Sequence, residues 1–290
     1  MFGPKRRRAQ GAAGGTRPGT ETAGMTRLTT ISRRAAFVAL IALGAAWSAD
    51  AAQARDWRKI RIGTEGSYPP FNYMDADRQL RGFDIDIAKA LCAKIGAECT
   101  FGAQDWEGLI PALLANKYDA VVASMSITDE RKRVIAFSKR YYQTPAMFVA
   151  AKENGSWGST PEALAGKTIG AQTGTASATY LEDVYGAAAT VKLYATQDEA
   201  NLDLASGRLD AVLADKAVLL PWLEKAEEGK CCQVIGQDVR DPAYFGEGVG
   251  VGLRKEDADL KALFDKAIDD IRADGTYDRI NARYFPFSLY

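Results

Sequence analysis

The chain has 290 residues, which is enough for one or two domains. Hydrophobic residues make up 47% of it and charged residues 26%, a globular composition that excludes wholesale disorder, collagen and coiled coil. It contains no histidine, which excludes Ser-His-Asp and Cys-His nucleophiles and histidine metal ligands, and its 37 basic and 37 acidic residues leave no basic excess for nucleic acid.

The first 54 residues have the layout of an N-terminal extension followed by a cleavable signal peptide. Arg27, Arg33 and Arg34 form a positive region before the apolar run Ala35–Trp47, and Ala52-Gln53-Ala54 follows as a small-x-small cleavage site. The apolar run has 13 residues, too short to span a membrane comfortably. A buried core helix is the alternative, but the order of the three regions favours a signal. We therefore expect a mature protein that starts near Arg55 and resides in the periplasm, without stable membrane insertion.

Strand-like and helix-like segments alternate from residue 59 onward. Short runs of β-branched and small residues predict strands, and longer amphipathic segments predict helices. This alternation is typical of an α/β fold with parallel strands covered on both faces. The main predicted elements are strand Lys59–Thr64, helix Ile85–Ile95, strand Glu98–Gly102, helix Leu109–Asn116, strand Tyr118–Ala123, strand Lys167–Ala171, helix Asp198–Ser206 and strand Leu209–Ala214.

Two parts of the chain follow the same plan. The stretch LLANKYDAVVAS matches LDLASGRLDAVLAD, each a helix, a turn and an apolar strand, and KIRIGTE matches KTIGAQT. The repeat predicts two α/β lobes of similar construction. Ligands of open α/β sheets bind at the carboxyl ends of the strands. The predicted strands end at Glu65, Ser124, Gln172 and Asp215, so we expect these residues to face a common cleft.

Charged and aromatic side chains near these strand ends match the needs of an α-amino acid. A ligand carboxylate requires a bidentate arginine, for which Arg131 is the candidate, together with backbone N–H donors at helix N-termini. A ligand ammonium requires carboxylates such as Glu65 and Asp215. Tyr68 and Trp106 offer aromatic walls. Taken singly, Arg131 also fits a solvated helix face, Asp215 a helix N-cap and Trp106 the core.

The four cysteines divide into two pairs. Cys92 and Cys99 lie at the end of a predicted helix and the start of a strand, where an exported protein can keep a disulfide. Cys231 and Cys232 are adjacent, and because adjacent cysteines rarely bond each other, we predict no bridge between them. Neither spacing is zinc-like, so we expect no metal site and no cofactor.

The region from Ile60 to Phe285 resembles the polar amino acid-binding proteins of the periplasm, the solute-binding proteins of family 3. GFDID, SITDER and ADGTYDRI at their relative positions carry the resemblance. It is similar in particular to binders of lysine, arginine and ornithine, of histidine, and of opines. The resemblance implies a two-lobe type II periplasmic-binding fold, each lobe a mostly parallel sheet flanked by helices, with two hinge crossings near 142–147 and 244–250. The first lobe would comprise 55–144 with 243–290, and the second 145–242.

The resemblance also implies roles for individual residues. Arg131 would hold the ligand carboxylate, Asp215 the α-ammonium and Glu65 a distal cation. Tyr68 and Trp106 would enclose the side chain. It implies the disulfide Cys92–Cys99 as well. The full predicted ligand-binding set is Glu65, Tyr68, Asp84, Trp106, Ala123, Ser124, Ser126, Arg131, Gln172, Gly174, Thr175, Ala176 and Asp215.

Departures from the family pattern bear on the ligand. Ala123 replaces a serine of the lysine and histidine binders, Gln172 replaces an apolar residue, and Glu65 is one methylene longer than aspartate. We expect the ligand to be a basic amino acid (arginine, ornithine or lysine). An opine is the second choice, because Gln172 adds a polar group that could contact its extra carboxylate. A neutral ligand such as glutamine is disfavoured, since it would leave Glu65 unpaired in a desolvated cleft.

Three functions compete. The favoured one is a monomeric receptor that closes about its hinges and delivers the ligand to an ABC permease. The second is an enzyme on the same fold, a dehydratase acting on prephenate- or arogenate-like acids, in which Glu65 would be the acid. The third is an accessory sensor of amino acids.

Overall fold

The computed structural model describes residues 55–154 and 157–290, so the predicted signal peptide lies outside the described residues. Its strands in chain order are β1 (Lys59–Thr64), β2 (Ser67–Tyr68), β3 (Asn72–Met74), β4 (Leu80–Arg81), β5 (Glu98–Ala103), β6 (Ala120–Val121), β7 (Ala136–Tyr142), β8 (Ala146–Ala151), β9 (Thr168–Gln172), β10 (Thr190–Tyr194), β11 (Ala211–Asp215), β12 (Cys232–Val239) and β13 (Val249–Leu253). Its α-helices are α1 (Phe83–Ile95), α2 (Leu109–Leu114), α3 (Asp129–Val134), α4 (Ala176–Tyr185), α5 (Gln197–Ala205), α6 (Lys216–Lys225), α7 (Pro242–Phe245), α8 (Ala258–Ala273) and α9 (Thr276–Tyr284). None of the described helices is long and apolar enough to cross a membrane.

Two five-stranded sheets form the two lobes. The first sheet has the order β5-β1-β6-β13-β7 and the second β10-β9-β11-β8-β12. The repeated stretches occupy equivalent places, since β1 and β9 lie beside the edge strands while β6 and β11 lie at the centre. The predicted α/β fold with two lobes of one plan is confirmed.

Each sheet is mostly parallel, as predicted, but contains one antiparallel strand. β1 pairs in parallel with β5 and β6, and β9 with β10 and β11. β13 and β8 are antiparallel to both of their neighbours. Parallel neighbours need a crossover helix, whereas β8 and β13 bring the chain in from the opposite lobe. Each sheet therefore has four strands that run in one direction and one strand, β13 or β8, that runs opposite to them.

The chain passes between the lobes at two places. Residues 143–145 join β7 to β8, and residues 240–248, which include α7, join β12 to β13. The second crossing begins earlier than predicted because β12 ends at Val239. Gly246 has φ 68°, and a Cβ there would lie 2.0 Å from the carbonyl oxygen of Ile127. Only glycine permits this close approach, which packs the crossing against the segment leading into α3.

An aromatic cluster connects the first crossing to the small sheet β2-β3-β4. The buried ring of Phe71 stacks on Tyr142 at 4.8 Å and meets Phe83 edge-on at 5.8 Å. Tyr68 also stacks on Phe71, with ring centroids 6.2 Å apart. Such pairs stabilise by about 0.5–1.5 kcal/mol beyond area burial, so the cluster holds Tyr68 in place.

One cysteine prediction is confirmed and the other is wrong. Cys92 and Cys99 form a disulfide that joins α1 to β5. Cys231 and Cys232 are also bonded to each other, with Cα atoms 3.7 Å apart. Cys231 ends a short 3₁₀ turn and Cys232 begins β12. The backbone changes direction between them, so their side chains need not point to opposite faces as they would within a strand.

Candidate ligand-binding cleft

A cavity lies between the lobes at the carboxyl ends of the parallel strands. All predicted site residues except Asp84 and Gly174 line it. The lining residues are Glu65, Tyr68, Trp106, Ala123, Ser124, Ser126, Arg131, Gln172, Thr175, Ala176, Ser177, Gln197, Ala214, Asp215 and Phe245.

Arg131 is held at one end of the cavity. It lies on α3, whose N-cap Thr128 accepts a hydrogen bond from the Arg131 backbone N–H at 3.3 Å. Its Nη1 donates to the carbonyl oxygen of Ser126 at 3.0 Å, and its Nη2 to that of Gly174 at 3.0 Å. The guanidinium carbon lies 5.2 Å from the centre of the Trp106 ring. The guanidinium is therefore oriented by two carbonyls and an aromatic face.

The charge of Arg131 is not matched by an ion pair with any described residue. Desolvation lowers its pKa to about 10, so it stays positively charged at neutral pH. A guanidinium carries five N–H donors, of which two serve the carbonyls. The first turn of α4, beginning at Ala176, adds backbone N–H groups without intrahelical acceptors. This end of the cavity is built to receive an anion.

Asp215 provides a negative charge in the same cavity. It ends β11 and accepts a hydrogen bond from Tyr68 Oη to its Oδ2 at 2.9 Å, across the cleft. Burial raises its pKa to about 6, and the positive charge of Arg131 partly opposes that shift. Burial also raises the pKa of Tyr68 well above its usual value, so the phenol remains a donor.

Ser124 lines the cavity, and Asp84 lies beneath it. Asp84 is completely buried and accepts hydrogen bonds from Asn72 Nδ2 at 2.9 Å, Ser124 Oγ at 2.9 Å and Tyr141 Oη at 2.7 Å. Ser124 has φ 54°, uncommon for a non-glycine residue. Its single hydroxyl proton serves Asp84, so the oxygen presents only lone pairs to the cavity. Asp84 therefore acts by making Ser124 an acceptor, which suits an ammonium group.

Glu65 provides a second carboxyl group in the cavity wall. Only 6% exposed, it accepts from Gln172 Nε2 at 2.5 Å and from Ser67 Oγ at 3.3 Å. Desolvation raises its pKa to about 7, and the charges of Asp198 and Asp105 add to this. Gln172 Nε2 also donates to the carbonyl oxygen of Ala195 at 3.1 Å. Within the described ranges no cation pairs with Glu65, so a ligand cation would find an unmatched acid here.

Four residues of the cavity wall were not predicted: Ser177, Gln197, Ala214 and Phe245. Gln197 begins α5, is 2% exposed, and donates from Nε2 to Asn201 Oδ1 at 3.0 Å. It follows the carboxyl end of β10, a strand absent from the predicted elements, so the strand-end rule would have found it. Phe245 comes from the second crossing; it lies within the expected hinge segment 244–250, but no ligand contact was predicted for it.

A buried acid predicts an unusual pH dependence of stability for the ligand-free protein. Folding raises the pKa of Asp84 to about 6, above an ordinary value near 4, and its partners Asn72, Ser124 and Tyr141 all lie in the first lobe, so its burial does not depend on lobe closure. The folded state therefore binds more protons in this range, and stability falls as pH rises. We expect the free energy of unfolding to increase by about 1 kcal/mol from pH 7.5 to 5.5.

Denaturant unfolding at the two pH values measures this change. Carboxylates with lowered pKa values, such as Asp203 and Asp274, protonate only in more acidic solution and do not oppose it. Asp84→Asn should show a smaller increase. A lower unfolding midpoint at pH 5.5 than at pH 7.5 would contradict the assignment of this buried acid.

Residues 60–287 match the model of a protein family, the bacterial extracellular solute-binding proteins, family 3. The chain is 44% identical over 234 residues to an L-arginine-binding protein of Pseudomonas aeruginosa, covering 80% of this chain and 90% of that one. It is 41% identical over 232 residues to a lysine/arginine/ornithine-binding periplasmic protein of Escherichia coli, covering 80% and 89%. Among solved structures, a Salmonella typhimurium periplasmic binding protein of high arginine specificity matches with a TM-score of 0.72 at 34% identity, covering 79% of this chain and 99% of that one.

Proposed function

The chain belongs to family 3 of the bacterial extracellular solute-binding proteins, and on that basis we propose that it is the periplasmic receptor of an ABC importer for a basic amino acid. Arginine, ornithine and lysine are the proposed ligands. Relatives named for binding arginine, or lysine, arginine and ornithine, support this ligand class.

The placement of unmatched charges in one cavity carries the proposal. Among the described residues, none supplies an anion to Arg131 or a cation to Glu65, while Asp215 and the acceptor-only hydroxyl of Ser124 suit an ammonium. An α-amino acid with a cationic side chain supplies all three charges. Its carboxylate would pair with Arg131 in the bidentate geometry that guanidinium favours.

The mechanism follows from the two crossings. Ligand would bind to one lobe of an open form, and rotation at the crossings would bring the other lobe onto it. We assign residues 55–144 with 243–290 to the first lobe and 145–242 to the second. The receptor would be a monomer, exported by the N-terminal signal, and the closed form would dock on the permease. It would bind its ligand without transforming it.

The opine alternative gains no support from Gln172. Both N–H groups of a primary amide are used when Nε2 donates to Glu65 and to the carbonyl oxygen of Ala195. Gln172 then has no donor left for the extra carboxylate of an opine. The side chain instead holds Glu65 in place.

A thermal-shift screen of residues 55–290, refolded to remove bound ligand, tests the proposal. A ligand at 100 times its Kd adds about 2.7 kcal/mol of stability, which raises Tm by roughly 5–10 °C for a protein of this size. We expect such a shift with arginine, lysine or ornithine and a smaller one with glutamine or octopine. No shift with any basic amino acid would overturn the proposal, and turnover of a prephenate-like acid would support the dehydratase.

A further inference from the structure

Given the proposed function, on which this step rests, we infer that Glu65 makes ligand selection depend on pH. The closed cleft accepts an amino acid with a neutral side chain only when Glu65 takes up a proton. It accepts one with a distal cation while Glu65 stays ionised. Glu65 is then a specificity-determining residue whose preference for cationic ligands is weak in acid and strong at neutral pH.

The contacts of Glu65 across the cleft carry this inference. Glu65 follows β1 in the first lobe, whereas its partner Gln172 ends β9 in the second lobe. The carboxyl group is therefore sealed from water by the approach of the two lobes, and its 6% exposure belongs to the closed arrangement. In an open form the same group would be solvated. Lobe closure itself changes the environment of Glu65.

In the part of the chain that the structure describes, the groups facing Glu65 supply no positive charge. Its hydrogen-bond partners Gln172 and Ser67 are neutral donors. Asp198 on α5 and Asp105, which directly precedes Trp106, add negative charge, which disfavours ionisation of Glu65. The phenol of Tyr68 is neutral, since burial and nearby carboxylates raise its pKa. A distal cation on the ligand is therefore the natural counter-charge for an ionised Glu65 in the closed cleft.

The consequence is proton uptake coupled to binding. In the closed cleft the pKa of Glu65 is about 7, whereas a solvated glutamate has a pKa near 4.3. Between these values a neutral ligand binds with uptake of up to one proton, so its affinity falls as pH rises by up to about tenfold per pH unit. Above about pH 7 the affinity levels off, because Glu65 is ionised in both forms. The affinity for a cationic ligand does not fall in this way, because the ligand cation pairs with the ionised Glu65.

Arginine and citrulline form the matched pair of probes, because citrulline replaces the guanidinium with a neutral ureido group of the same shape. Calorimetric titration at pH 5, 6, 7 and 8 and constant salt gives the ratio of their Kd values. Titration of Asp84 and Asp215 affects both ligands and cancels in the ratio. We expect the ratio to change in favour of arginine by about 30- to 100-fold between pH 5 and pH 7, and little from pH 7 to 8. In Glu65→Gln the ratio should be independent of pH.

Calorimetry in buffers of different ionisation enthalpy gives a second readout, because the dependence of the binding enthalpy on the buffer measures the number of protons taken up. Near pH 6, citrulline binding should take up close to one proton more than arginine binding. If arginine binds but the ratio does not change with pH, or citrulline fails to bind even at pH 5, the inference is wrong and the proposed function stands. If neither arginine, lysine nor ornithine binds at any pH, the proposed function itself fails.

Discussion

Replacing Arg131 with alanine is expected to weaken amino acid binding by about 100- to 1,000-fold, because removing one partner of a buried charge pair costs about 2–5 kcal/mol. The structure also predicts how Arg131→Ala affects the stability of the ligand-free protein. In the ligand-free protein the guanidinium has only carbonyl and aromatic partners, so its removal deletes a desolvated cation that no described residue pairs with. The stability of the ligand-free variant should therefore equal or exceed that of the wild type.

Calorimetry with arginine and denaturant unfolding without ligand check the two expected effects. Arg133→Ala is the matched control, since Arg133 is exposed on the same short helix and lies outside the cavity. It should bind normally. If Arg131→Ala binds arginine as tightly as the wild type does, the assignment of Arg131 to the ligand carboxylate is wrong.

Replacing Asp215 with asparagine is expected to weaken binding by about 100-fold, because the variant keeps the side-chain shape but removes the charge that faces the ligand ammonium. The asparagine oxygen still accepts from Tyr68, so the contact across the cleft survives. Burial raises the pKa of Asp215 to about 6, so losing this carboxylate should not destabilise the ligand-free protein at pH 7.5.

Two comparisons isolate the charge of Asp215. Tyr68→Phe removes only the hydroxyl that donates to Asp215 and should cause a smaller loss of affinity. Glu182→Gln removes an exposed carboxylate from the same lobe and should leave binding unchanged. An Asp215→Asn variant that binds arginine as tightly as the wild type would exclude Asp215 from recognition of the ammonium.

The repeat in the sequence predicted where the cavity lies. Strands that end at Glu65, Ser124, Gln172 and Asp215 could be located from short apolar runs, and the strand-end rule then placed these residues together. The start of α3 before Arg131 also follows a local rule, because Thr128 has the side chain of an N-cap. These features can be predicted from the local sequence, without knowledge of tertiary contacts.

Other features depend on contacts that local patterns do not encode. β6 comprises only Ala120–Val121 instead of the predicted Tyr118–Ala123, because Ser124 turns into a left-handed conformation over Asp84. The support of Asp84 by Asn72 and Tyr141 joins three separate elements and could not be read from spacing. The bond between Cys231 and Cys232 depends on a turn ending between them.

The central claim is that the cleft recognises an amino acid by its carboxylate at one end and its cationic side chain at the other. Calorimetric titration of the ligand-free protein at pH 7.5 with arginine, and with agmatine as the analogue that lacks the carboxylate, tests it most directly. The account predicts one arginine per chain and a Kd for agmatine at least about 100-fold weaker, because Arg131 would be left without its anion. Equal affinity for the two compounds, or no arginine binding at all, would contradict it.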